Sequence, residues 1–122
     1  MSYITRTGNL VEAPTLRTNE KDKSYTYARV AVSDRIKGKD GEWFDGPTIF
    51  YSVSVSGQQA EQLVEAAEES GNIRVTFSGE YRVTAYQPED GEERLQHEVR
   101  ADEVGVSLRG QRVTVSKVSA AE

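Results

Sequence analysis

Strict alternation of apolar and polar residues is the feature that most constrains how this chain can fold. Apolar side chains occupy every second position in residues 28–32 and again in residues 49–55, where the positions between them are mostly serine. A period of two places one set of side chains on each face of a strand, so each segment is predicted to be a strand with one buried face. A longer alternating run covers residues 73–86, and Gly79 in its middle predicts a bend or a bulge.

One segment departs from this pattern and has helical periodicity. Residues 58–70 carry apolar side chains at i, i+3, i+4 and i+7 with glutamates between them, and Gly71 follows as a helix stop. Turn-forming residues at 37–41 and 88–91 predict two projecting hairpins. The predicted elements are strands near residues 3–12, 24–35, 48–56, 73–86 and 93–104, with the helix at 58–70.

Three strands, a helix and two more strands is the element order of the OB barrel, an all-β, five-stranded Greek-key barrel. The length of 122 residues is that of a single domain. Residues 110–118 alternate again, so a further C-terminal strand is expected at a sheet edge or between subunits. We therefore expect an OB domain over residues 1–109 and a short extension over residues 110–122.

Residue types that support catalysis or metal binding are scarce. Cysteine is absent and His97 is the one histidine, which excludes disulfides, thiolate zinc sites and cysteine nucleophiles. His97 alternates with Leu95 and Val99, a pattern typical of a packed histidine. We expect no enzymatic activity and no cofactor. The sequence also lacks the roughly 18 consecutive apolar residues of a membrane helix and an apolar N-terminal segment, so a cytoplasmic protein is expected.

Charge is distributed unevenly along the chain. Residues 1–39 contain eight Lys and Arg and four acidic residues, a net charge of +4. The remaining residues carry a net charge of −9, which brings the whole chain to −5. A basic surface near the N-terminal third can therefore coexist with acidic surfaces elsewhere.

Several short motifs follow one another along the chain in a recognisable order. They are Gly8-Asn-Leu10 with Pro14–Arg17, Val30–Val32, Gly41–Trp43, Phe50–Gly57 with Ala60-Glu61, Gly79–Arg82 and Ala101–Arg109. Together they resemble the bacterial single-stranded DNA-binding proteins over about residues 3–109. The resemblance implies an OB fold, coating of single-stranded DNA in replication, recombination or repair, assembly as a homotetramer and no cofactor.

Binding of single strands requires exposed aromatic rings for base stacking and basic side chains for phosphates. Phe50 lies on the serine-rich face of its strand and, like Tyr86, matches a stacking position of the family, while Trp43 lies in the first hairpin. Each ring has an alternative role in packing, through cover by a loop or another subunit or by anchoring a hairpin. The predicted phosphate contacts are Arg29, Arg35, Lys37, Lys39 and Arg82, of which Arg82 matches a basic position of the family; singly, each is more often a solvated charge.

The sequence also departs from the family at several positions. Ile36 and Ser56 stand where stacking aromatics are usual, and Ser52 stands where an arginine is common, so weaker binding is expected. The acidic tail tip that recruits replication proteins has no counterpart before Glu122, which makes recruitment doubtful. The rival hypothesis is an OB-fold protein-interaction or assembly module with weak or no nucleic-acid binding.

Overall fold

Six strands and one helix make up the part of the chain that the computed structural model describes, residues 2–89 and 91–118. They are β1 (Ser2–Leu10), β2 (Arg17–Thr18), β3 (Ser24–Lys37), β4 (Trp43–Ser56), α1 (Gln58–Ser70), β5 (Arg74–Tyr86) and β6 (Arg94–Val106). The predicted order of five long strands with one helix after the third is confirmed. The two-residue β2 was not predicted, because two residues are too few to display alternation.

Strand pairing closes the sheet into a barrel. The order β1-β5-β6-β4-β3-β2 is closed by a further pairing of β1 with β3 at Asn9 and Leu10. β4 and β6 run parallel, whereas the other pairs are antiparallel. Five long strands thus form the barrel and β2 pairs with β3 outside it, which confirms the OB fold.

The predicted apolar faces form the core. Alternate residues of β3 and β4 are buried and meet Leu10, Val75, Phe77 and Val99 from the other strands. The helix α1 packs against β3, β4 and β6 through the four predicted apolar side chains, Ala60, Leu63, Val64 and Ala67. Within the described residues, no helix has the length and apolar character that a membrane span requires. Burial on one face therefore leaves the other face of the sheet to carry the polar residues.

Two regions differ from the sequence-based expectation. β3 and β4 extend beyond a register shift at Ser33/Arg35, so the first hairpin is a two-stranded arm on which Lys37 pairs with Trp43. The further C-terminal strand is not formed within the chain, since residues 107–118 contain no strand. Instead the side chain of Gln111 accepts from the Arg74 N–H at 2.8 Å and donates to the Arg74 carbonyl at 3.0 Å. The side chain of Gln111 thus anchors the C-terminal segment at the first residue of β5.

Candidate nucleic-acid interface

The outward-facing residues of β3, β4, β6 and β5 form one continuous polar surface, which we call the outer face. The pairing register aligns side chains from the four strands into two rows across it. One row is Arg29, Ser52, Glu98 and Arg82, and the other is Tyr27, Ser54, Arg100 and Glu80. Small serines at the centre of both rows leave room between the longer side chains at their ends.

Three connected depressions cross the outer face. The Phe50 depression, about 660 Å³, is lined by Arg29, Phe50, Tyr86 and Arg94 among others. The Glu98 depression, about 440 Å³, is lined by the two serines and by Glu80, Arg82, Glu98 and Arg100. A third, about 220 Å³, extends from Arg29 to Arg17. We call the three depressions together the groove. Tyr27 lines all three and therefore lies at the centre of the groove.

Aromatic rings are exposed along this groove. The exposed fractions are 61% for Tyr27, 44% for Phe50 and 54% for Tyr86. The Arg29 guanidinium lies over the Phe50 ring, with 4.5 Å between its central carbon and the ring centroid. This cation–π contact places a planar cation beside an exposed ring, a combination suited to a stacked base with its phosphate.

The predicted site residues separate into two groups. Phe50, Tyr86, Arg29 and Arg82 meet in the groove, although Arg82 is ion-paired with Glu98 at 2.8 Å. Trp43, Arg35, Lys37 and Lys39 line none of the three depressions. Arg35, Lys37 and Trp43 lie on the paired strands of the first hairpin and Lys39 lies in the loop that joins them, and Arg35 lies 3.7 Å from Asp45. Only Arg29 and Arg82 of the predicted basic residues thus line these depressions.

Sequence reasoning missed several residues that line the groove. Tyr27, the most exposed of its three rings, shares the outward parity of Arg29 on β3. Arg100 follows the buried Val99 on β6, whereas Arg94 lies beside Leu95, which is itself exposed. Strand parity, applied to every polar or aromatic residue next to a buried one, would have identified Tyr27 and Arg100. Arg94 lies in the exposed first part of β6, where burial gives no such signal.

A cluster of rings supports the groove from the inner side of the sheet. Tyr51 is buried between Phe77, Tyr81 and His97, with centroid distances of 5.5, 5.9 and 5.8 Å. The hydroxyl of Tyr81 is hydrogen-bonded to Nδ1 of His97 at 2.7 Å. Burial raises the pKa of Tyr51, and the nearby Arg6 only partly opposes this shift. The histidine is therefore a packed residue, as its alternation with apolar neighbours predicted.

Acidic and histidine side chains do not gather into a metal-binding arrangement. In residues 2–89 and 91–118, no group of three or more His, Asp or Glu lies close enough to hold a metal ion.

Known proteins resemble this chain in sequence and in fold. The sequence model of the single-strand binding protein family matches residues 1–107. Single-stranded DNA-binding protein 2 of Streptomyces coelicolor is 35% identical over 119 residues, which is 97% of this chain and 59% of the relative. The single-stranded DNA-binding protein of Mycobacterium tuberculosis is 33% identical over 117 residues, covering 95% of this chain and 70% of the relative.

Coverage of the relatives is partial. The chain spans 59% of the length of the Streptomyces relative and 46% of the length of a Corynebacterium glutamicum relative that is 36% identical. The crystal structure of a small single-stranded DNA-binding protein from Streptomyces coelicolor has the same fold, with a TM-score of 0.73 at 24% identity. That match covers 88% of this chain and 95% of the Streptomyces chain.

Proposed function

Because the chain belongs to the single-strand binding protein family, as its motifs predicted, we propose that it binds and coats single-stranded DNA without strong sequence preference. The observation that carries the proposal is the outer face, where Tyr27, Phe50 and Tyr86 are exposed along one groove with Arg29 among them. Contact of exposed aromatic rings with water is unfavourable, and a ligand that covers the rings removes this cost. Unpaired bases have the flat surfaces that stack on such rings.

The free energy of base stacking favours binding of a single strand over binding of a duplex. Stacking of one base on an aromatic side chain contributes roughly 1–3 kcal/mol, and a duplex has no unpaired base to offer. Arg17, Arg29 and Arg94 line the same connected depressions and would contact the phosphates. In this role the protein coats single-stranded DNA during replication, recombination or repair and catalyses no reaction. The same role implies that the protein lies in the cytoplasm, beside the DNA.

The proposal is tested by titrating the protein into fluorescently labelled oligothymidine and into a duplex of equal length. We expect clear preference for the single strand, and the logarithm of its affinity should fall with the logarithm of salt with a slope of about −0.7 per neutralised phosphate. Equal affinity for the duplex would contradict the stacking role. A flat salt dependence would instead favour the OB-fold protein-interaction module.

We further propose that the protein associates with copies of itself, as a homotetramer. β1 is paired with β5 along Ser2–Asn9, but its other edge is paired with β3 only at Asn9 and Leu10. An open strand edge offers backbone groups to a second chain. Sedimentation velocity of the intact protein at micromolar concentration should give about four times the monomer mass, and a monomer at every concentration would contradict the proposal.

A further inference from the structure

Carboxylates lie in a groove that should attract a polyanion. Glu98 and Glu80 both line the Glu98 depression, next to the exposed ring of Tyr27. The side chain of Glu98 is 29% exposed, and Arg82 Nε donates to its Oε2 at 2.8 Å. A groove used only for phosphates gains nothing from acidic groups at its centre, because each repels the backbone. Phosphate binding therefore does not explain why these carboxylates lie in the groove.

The charges divide the outer face into two regions. Arg29 and Arg94 line the Phe50 depression, where no acidic residue is among the lining side chains described. The Glu98 depression contains two acids and two arginines, one of which is already ion-paired. The lining of the Phe50 depression is net positive, whereas two acids balance two arginines in the Glu98 depression. Coulomb attraction therefore favours phosphates at the Phe50 depression and leaves the Glu98 depression to the less charged part of the strand, the bases. Tyr27 lies in both and can stack a base between them.

The atoms available in the Glu98 depression select among bases. An ionised carboxylate only accepts hydrogen bonds, and Arg82 occupies Oε2, while no hydrogen bond to Oε1 is found within the described residues. Ser52 neighbours Glu98 across the β4–β6 pairing, and both residues line the same depression, where the serine side chain is short enough to leave space for a base. Cytosine offers the N4 amino group as a donor, whereas thymine offers O4, an acceptor that a carboxylate repels.

We propose that Glu98 recognises the base stacked at Tyr27 and favours cytosine over thymine. The inference rests on the proposed binding of single-stranded DNA and adds a modest base preference to it. Arg82 is then a positioning residue, since its hydrogen bond holds the carboxylate of Glu98 in place. The phosphate contacts at Arg29 and Arg94 contribute equally to binding of both bases.

The test compares oligodeoxycytidine and oligothymidine strands of about ten nucleotides, a length that one OB barrel covers. Fluorescence anisotropy at neutral pH gives the Kd of each strand for the wild-type protein and for Glu98→Gln. The amide can donate to thymine O4 as well as accept from cytosine N4, so the ratio of Kd for thymidine to Kd for cytidine should fall about three- to tenfold. Within one protein the ratio cancels the change in charge at Arg82, and comparing the ratio between wild type and variant also cancels the difference in stacking between the two bases.

Glu65→Gln is the matched control, because Glu65 is an exposed residue of α1 and lines neither depression. It makes the same change in net charge and should leave the ratio unchanged. If Glu98→Gln does not fold, Glu98→Ser, which resembles the neighbouring serines, replaces it. Tighter binding of both strands by one common factor would show that Glu98 acts only as a charge, and would overturn the inference. Failure of the wild-type protein to bind either strand would instead overturn the proposed function.

Discussion

Tyr51→Ala is expected to lower the free energy of unfolding by about 3–5 kcal/mol, the cost of removing a large buried ring. Tyr51 is 3% exposed and contacts the rings of Phe77, Tyr81 and His97. Its hydroxyl also accepts a hydrogen bond from Arg6 at 3.3 Å. The truncated side chain would leave a cavity and an arginine without this partner. Urea unfolding followed by circular dichroism measures the loss.

The adjacent residue provides the matched comparison. Phe50 lies on the opposite face of β4 and is 44% exposed, so Phe50→Ala should change the free energy of unfolding by less than about 1 kcal/mol. The same variant should weaken binding of oligothymidine by about 1–3 kcal/mol, because one stacking ring is lost. A Phe50→Ala protein that unfolds but still binds would mean that the two faces of β4 are assigned in reverse.

The alternation of residues predicted the barrel strands because each has one buried face. A period of two arises where one face of a strand is buried, and it is clear in residues 28–32 and 49–55, whose apolar side chains pack in the core. The first hairpin arm has no buried face, since Ile36, Trp43 and Phe44 are all exposed. Without a buried face there is no periodic pattern, and the extension of β3 and β4 along the arm could not be predicted.

The groove could be predicted only as far as strand parity reaches. Parity placed Phe50 and Arg29 on the outward face. In the structure, 4.5 Å separates the central guanidinium carbon of Arg29 from the centroid of the Phe50 ring. The pairing of Arg82 with Glu98 depends on which residues of β5 and β6 stand opposite, and that register is set by a bulge. The basic and aromatic residues of the first hairpin arm lie away from the groove. This separation depends on the three-dimensional path of the arm, which the local sequence pattern does not predict.

Gly79→Ala is expected to cost about 3 kcal/mol or more in the free energy of unfolding, because a methyl group there overlaps the backbone of β6. A Cβ at Gly79 would lie 2.7 Å from the Cα of Ala101 and would overlap the carbonyl oxygen of Arg100. Backbone atoms cannot move aside as the end of a flexible side chain can. Differential scanning calorimetry of the variant measures the loss as a lower Tm.

The same substitution should also disturb the groove, because Gly79 lies where the β5–β6 register shifts. Ser78 pairs with Glu103 but Gly79 pairs with Ala101, so Asp102 is the extra residue of a bulge. Beyond it the shifted register sets Arg82 opposite Glu98. Gly105→Ala is the control, since a Cβ there meets nothing within 4 Å, and its stability should change by less than about 1 kcal/mol. Equal stability of the two variants would mean that β5 and β6 can separate at Gly79 without cost, and the register that aligns the groove would then have another cause.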